Sequence, residues 1–200
     1  MQAGLLLFLA LAAESPADPE PATAAAPPPS YSHRFQGGVS LAPGLGYRVI
    51  FPYDEGQPCG EFKDDGTPKR VCTSRLPVFL ELELAFGVTT SLDLIADFRF
   101  GLEKDFTPGK AFFFAPGVKY FIDPEKAFKL YASFQIVFDD EDQGASNVDN
   151  FDFALRNANG LQYEVLRQLG LFAQFGETLG FVRWLRFELD FAVGVQGRFP

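Results

Sequence analysis

A strict alternation of apolar and polar side chains constrains this chain more than any other feature. Toward its carboxyl end, Leu185, Phe187, Leu189, Phe191, Val193, Val195 and Phe199 are apolar at every second position but Gly197, and Arg186, Glu188, Asp190, Gln196 and Arg198 take most of the places between. A period of two belongs to an extended strand whose side chains point alternately to opposite faces, so one face is apolar and the other ionic.

The same period recurs in earlier segments, and together they predict eight strands. The first runs from about Arg34 to Phe51, with Val39, Leu41, Leu45, Tyr47, Val49 and Phe51 opposite Ser40, Ala42, Gly44, Gly46 and Arg48. The second places Leu76, Val78, Leu80, Leu82, Leu84 and Phe86 against Glu81, Glu83, Ala85 and Gly87, and the third sets Leu92, Leu94, Ala96, Phe98 and Phe100 against Asp93, Asp97 and Arg99. A tight turn centred on Thr90 joins these two as a hairpin and puts their apolar faces on one side. The fourth, Lys110 to Ile122, contains Pro116, which argues against a strand in the centre of a soluble sheet. The fifth begins at Phe128, the sixth at about Phe151, the seventh at Leu169 and the eighth at Trp184. Asn157 and Asn159 fall on the apolar register of the sixth and predict a bulge or a late start there. An even count suits a closed antiparallel barrel with both chain ends on one side. The connections alternate in length: short at Thr89, Pro124 and Gln168, long over 52 to 75, 103 to 109 and 139 to 150, with a short last one near Gly180. Short turns on one rim and longer loops on the other are the asymmetry of transmembrane barrels.

The remainder of the chain is read as targeting and linker. An apolar run from Gly4 to Ala13 with a small-x-small site at Ala10 and Ala12 predicts a signal peptide over 1 to 13 and is too short for a helical anchor. Residues 14 to 33, rich in Pro and Ala and containing Pro27, Pro28 and Pro29, predict a periplasmic linker that cannot bury enough apolar surface to order itself; the barrel follows over 34 to 200. Cys59 and Cys72 are the only cysteines; in an exported chain they predict a disulfide closing the first long loop. Their distance in sequence from His33, the sole histidine, disfavours a metal site. A net charge of -9 and the lack of a Lys/Arg-rich tract disfavour nucleic acid as a partner.

Alternation alone does not say which face looks inward, because a soluble lipocalin-like ligand-binding barrel would bury the apolar face. Three features favour the opposite arrangement. The polar face is crowded with small residues such as Gly38, Ser40, Ala42, Gly44 and Gly46, which suits a narrow interior. Lys is scarce on it, although solvated exteriors carry Lys freely. Aromatics gather at strand ends, with Phe35, Phe51, Phe100, Phe112, Tyr120, Phe128, Phe138, Trp184 and Phe199 forming two girdles. A Lys or Arg facing lipid at the midplane costs about 2 to 4 kcal/mol, and the apolar registers of strands one to five and eight carry no charge. Glu177 does fall in the apolar register of strand seven, where it is expected near the outer rim.

From 34 to 199 the chain resembles the small eight-stranded outer-membrane barrels of Gram-negative bacteria, of the OmpX and OmpA transmembrane-domain type. The resemblance rests on strand count, loop asymmetry and a last strand of alternating hydrophobics ending in Phe199, with Pro200 following where the aromatic would normally be terminal. It implies an all-β, eight-stranded antiparallel up-and-down transmembrane barrel in the bacterial outer membrane. It also implies Phe199 as the insertion signal read by the barrel-assembly machinery, and outer-membrane lipids and lipopolysaccharide as surroundings.

The inward face predicts a charge network of Arg48, Glu81, Glu83, Asp97, Arg99, Arg186, Glu188 and Asp190. Centring the hairpin on Thr90 puts Glu81 across from Arg99 and Glu83 across from Asp97, and Arg48 is expected beside the two glutamates, where it and Arg99 neutralise an acidic cluster. Enzyme chemistry has little to stand on: His33 reads as an exposed linker histidine with no carboxylate placed to orient it. The acidic stretch from Asp139 to Gly144 meets only part of a calcium-loop pattern and has Asn150 where that loop supplies a glutamate, so it reads as a solvated outer loop, with cation-assisted contact to lipopolysaccharide as the functional alternative. The expected protein is a monomeric, non-enzymatic outer-membrane barrel without cofactors or metal, with a closed lumen and a structural, adhesive or envelope-interaction role. The alternatives are a narrow channel, a soluble exported ligand-binding barrel and a lipid A-modifying barrel enzyme.

Overall fold

The computed structural model describes residues 31–53, 63–67, 69–103, 112–140, 151–182 and 184–200. The predicted signal segment, residues 14 to 30 of the linker, Cys59, residues 141 to 144 of the acidic stretch and Asn150 lie outside the described residues. Eight strands follow one another: β1 Gly37–Phe51, β2 Cys72–Gly87, β3 Leu92–Gly101, β4 Phe112–Ile122, β5 Phe128–Asp140, β6 Phe151–Leu166, β7 Leu169–Gly180 and β8 Leu185–Phe199. Each pairs antiparallel with its sequence neighbour, and β8 returns to β1 with Phe199 opposite Gly37, closing the barrel. Closure leaves no edge strand, so every strand can satisfy its backbone groups within the wall, the requirement for crossing a bilayer without helices.

The apolar face is the outer one. Leu41, Leu45, Leu94, Tyr120, Phe134 and Phe191 are all exposed, whereas Glu81, Asp97, Arg156 and Asp190 are buried inside. This is the inverse of a soluble barrel and excludes the lipocalin-like arrangement. Phe35, Phe51, Phe100, Phe112, Tyr120, Phe128, Phe138 and Phe199 are exposed at strand ends, as the girdles require. Trp184 departs from that expectation. It folds inward at the head of β8 and packs with Ile50 and Cys72, capping the end of the lumen.

Two local registers differ from the simple alternation. In β1, pairing with β2 shifts between Gly44 and Gly46, so that Gly44 lies opposite Phe79 and Gly46 opposite Leu76. The extra β2 residue flips the parity of that strand, and Leu76, expected on the lipid side, points into the barrel and is buried. Asn157 and Asn159 show the reverse: no bulge accommodates them, and both stay on the outward face of β6, while the irregularity in the β6–β7 ladder sits at Glu164 to Leu166 near the turn. The even spacing of β6 persists because its inward residues, Ala154, Arg156 and Ala158, fix the parity through burial.

Residues 31 to 36, immediately ahead of β1, are part of the packed structure. Phe35 donates its backbone N–H to the Gly87 carbonyl, Gly87 donates to Gln36, and Tyr31 donates to Glu125, tying the segment beneath the barrel at the end opposite the long connections. A Cβ on residue 87 would run into the His33 carbonyl, so this crossing requires glycine. His33, expected to be an exposed linker histidine, is 2% exposed. Its ring enters the lumen and meets Phe121 edge to face at 4.7 Å between centroids. The sequence hid this because a histidine after a proline-rich run has no periodic context, and its partners come from distant strands.

Candidate functional site

Inward-facing carboxylates on β2, β3 and β8 would repel one another in a confined space unless cations reached them, and the barrel supplies these from across the lumen. Cross-strand opposition in the β2–β3 hairpin sets Arg99 against Glu81, with the guanidinium Nη2 donating to Oε2 at 2.8 Å. Arg99 also donates to both carboxylate oxygens of Asp190 on β8, at 3.3 Å each. Arg156 from β6 completes the cluster: it donates to Asp190 through both terminal nitrogens, the Nη2 contact being 2.9 Å, and approaches Glu81 at 3.8 Å. Its guanidinium lies where a Cβ on residue 176 would be, so Gly176 on β7 gives it room. Gln174 donates to Glu81 at 2.5 Å and accepts from the Tyr131 hydroxyl at 3.0 Å. Glu83 finds its cation in Lys119 of β4 at 2.5 Å, and Asp97 accepts from Gln135 of β5.

A second cluster surrounds His33. Its Nε2 lies 2.8 Å from both Glu164 Oε1 and Lys129 Nζ, and its Nδ1 is 3.5 Å from Asp93. Lys129 also donates to the Tyr31 carbonyl at 2.9 Å, and Arg198 donates to Asp93 at 2.6 Å. Gln162, Gln196 and Ser40 continue the chain of hydrogen bonds around the wall. At the other end, Arg186 pairs with Asp139 at 2.6 Å, Asp152 at 3.5 Å and Glu188 at 3.6 Å. Asp139, the first residue of the acidic stretch, is therefore committed to an arginine inside the barrel, which removes it from any solvated loop site.

Apolar rings fill the space between the charges. Phe79, Phe121, Tyr131 and Phe172 cluster with Ala42 and Ala192, and the Arg99 guanidinium stacks 3.8 Å above Phe79 and 4.4 Å from Phe113. Lys119 lies 4.7 Å from the centre of the Tyr131 ring. Such contacts add about 0.5 to 2 kcal/mol each where the cation is desolvated, and they hold long side chains across the bore.

All eight residues expected in the lumen network are inside, but not all where expected. The Glu81–Arg99 and Glu83–Asp97 oppositions stand as the turn at Thr90 dictates. Arg48 is displaced: it lies opposite Ser74 and Glu188 and donates to the Ser74 hydroxyl at 3.1 Å, far along the strand from Ser40 and Ala42, the residues that face Glu83 and Glu81. Arg156 and Lys119 take the neutralising role assigned to it. The network expected from the sequence left out Arg156, Lys119, Lys129, Asp93, Glu164, Arg198 and His33. Parity puts every one except His33 on the inward face; what it does not give is their partners. Cys72 begins β2, is buried, and is not a free thiol.

Closure, outward apolar faces and an ion-paired interior together define an eight-stranded up-and-down barrel of the transmembrane type. No protein-family model matches the chain and no curated protein is similar to it in sequence. Solved structures are similar in fold. The N-terminal β-barrel domain of Pseudomonas aeruginosa OprF matches with a TM-score of 0.56 at 11% identity, covering 83% of this chain and 98% of that one. Neisserial surface protein A matches with a TM-score of 0.55 at 13% identity, covering 81% and 97%. Ail, the attachment invasion locus protein of Yersinia pestis, matches with a TM-score of 0.52 at 12% identity, covering 83% and 99%.

Proposed function

We propose that this protein is an exported, integral outer-membrane barrel with a closed lumen, whose role is structural, adhesive or in envelope interaction, exerted through its outer surface and long connections. The observation that carries the closed lumen is the set of side chains that bridge it. Arg99 on β3 reaches Asp190 on β8, Gln174 on β7 reaches Glu81 on β2, and Arg198 on β8 reaches Asp93 on β3. Bonds between strands on opposing walls leave no continuous bore, and breaking a desolvated ion pair to open one costs several kcal/mol. The reading includes no catalysis. Its support is that both nitrogens of His33 are taken up by Glu164, Lys129 and Asp93, so neither is left to activate a nucleophile.

Recording from the protein in planar bilayers tests the closed lumen: a flat baseline at moderate voltage is expected, and stable unitary steps would overturn it in favour of the narrow channel. Expression should leave the mass of lipid A unchanged; a mass shift would restore the enzyme alternative. Cell fractionation with a heat-modifiability gel tests residence, with folded, unboiled protein migrating differently in the outer-membrane fraction.

Two further assignments belong to the same reading. Cys72 is bonded to Cys59 across the first long connection, contributing about 3 kcal/mol by restricting the unfolded chain. Thiol labelling under denaturing, non-reducing conditions should find neither sulfur free. Phe199, exposed at the end of β8, is the contact offered to the barrel-assembly machinery during insertion. Its replacement by Asp should slow assembly without changing the finished fold.

A further inference from the structure

Among the described residues, Glu177 is the one carboxylate on the outward register of a strand within the apolar band, and it has company. Asn157 on β6 lies directly across from it, and Asn159 follows on the same outward face. Asn157 in turn pairs with Phe134, midway along β5, while Glu177 itself stands three residues before the outer end of β7, toward the outer side of the band as its place in the sequence predicts. Neither Glu177 nor Asn157 makes a side-chain hydrogen bond or ion pair to any described residue. They line a shallow depression of about 270 Å³, framed by Phe134, Leu155, Leu179 and Phe187. The inward charges of this barrel are bridged many times over, so an unbridged carboxylate and amide turned toward lipid stand apart. Hydrocarbon offers them no hydrogen bond, and an ionisable side chain in that position points to a partner.

We infer that the β6–β7 wall is a self-association surface, on which a second copy of this chain docks with Asn157 of each copy against Glu177 of the other. The symmetry supports a second copy over a different protein. Two copies inserted in the same sense are related by a two-fold axis along the membrane normal, and an axis through the β6–β7 seam sets β6 of one copy against β7 of the other. Asn157 and Glu177, opposite each other on those two strands, are then presented reciprocally. The amide donates to the carboxylate if the acid is ionised and accepts from it if the acid is protonated, so the pairing is complementary in either form. The rest of the contact is apolar, from Leu155 and Leu179, and adds packing without further unpaired groups.

Energy transfer between donor-labelled and acceptor-labelled full-length protein, reconstituted together in phosphatidylcholine vesicles at a low protein-to-lipid ratio, tests this directly. Transfer above the random-mixing level is expected for the wild type, and both Glu177→Leu and Asn157→Leu should weaken association at least tenfold. Phe98→Leu, on the far wall, should leave it unchanged. The two wall variants replace a polar group facing lipid with an apolar one, and an unchanged shift on heating would show that they still fold. Random-level transfer for the wild type, or undiminished transfer in both variants, would overturn the inference. So would a photocross-linker at Leu155 that captures only a different protein in expressing cells. Failure to insert into vesicles would overturn the membrane reading and this inference with it.

Discussion

The β2–β3 and β6–β7 hairpins have the same topology and opposite distributions of polarity. In β2–β3 every outward residue from Leu80 to Phe86 and from Leu94 to Phe100 is apolar, while Glu81, Glu83, Asp97 and Arg99 all turn inward. In β6–β7 the inward face includes Arg156, Gln162, Gln174 and Thr178, yet Asn157, Asn159 and Glu177 also break the outward face. The first hairpin shows that charge inside this barrel is structural, because each group has a partner on another strand. The second shows that polarity on the wall follows a different logic, because its groups have no partner among the described residues. Inside, mutation should expose the cost of stranding a charge; outside, it should expose the preference of the wall for lipid.

The largest effect is expected at Arg156, which is fully buried and satisfies both Asp190 and Glu81. Arg156→Leu should destabilise the folded barrel by about 3 to 5 kcal/mol, since two carboxylates lose a shared cation. Equilibrium unfolding in urea from phospholipid vesicles gives the value, and a change under about 1 kcal/mol would show that Arg99 and lumen water suffice to solvate those acids without Arg156. Next comes the clean wall: Leu82→Arg should cost about 2 to 4 kcal/mol in the same assay, and a neutral result would mean that this position lies beyond the apolar band.

A smaller quantity sharpens the interior half of the comparison. Glu81→Gln and Arg99→Met, singly and together, form a double-mutant cycle whose coupling should fall near 0.5 to 3 kcal/mol, with the double variant milder than the sum of the singles. Strict additivity would detach Arg99 from Glu81 and leave Asp190 as its only significant partner. The smallest effect, opposite in sign, is expected on the polar wall. Glu177→Leu should stabilise the isolated barrel by up to about 1 kcal/mol when measured in micelles dilute enough to keep copies apart, because a glutamate facing lipid costs less than an arginine. A loss of stability would mean that Glu177 has a partner within its own chain, and the contrast between the hairpins would collapse.

The alternation in β8, the Thr90 turn and the crowding of Gly and Ala along β1 made the fold legible from residues alone. They are local properties, set by which side of a pleated strand each side chain leaves, and burial enforces that choice along a whole strand at once. The Glu81–Arg99 pair was legible for the same reason, since a tight turn fixes register within a hairpin. Leu76 was put on the wrong face because the shift between Gly44 and Gly46 depends on how Phe79 and Leu76 fit into a filled interior, which no period reveals, and Arg48 was misplaced because a long connection, unlike a tight turn, does not fix the register of β1 against β2. His33 against Glu164, Gln196 against Ser40, and Arg156 between Asp190 and Glu81 belong to tertiary structure alone. Those residues lie far apart in sequence and meet only because closing the wall brings strands from opposite sides within reach of one another. The period determined which residues face inward; the closed barrel decided which of them touch.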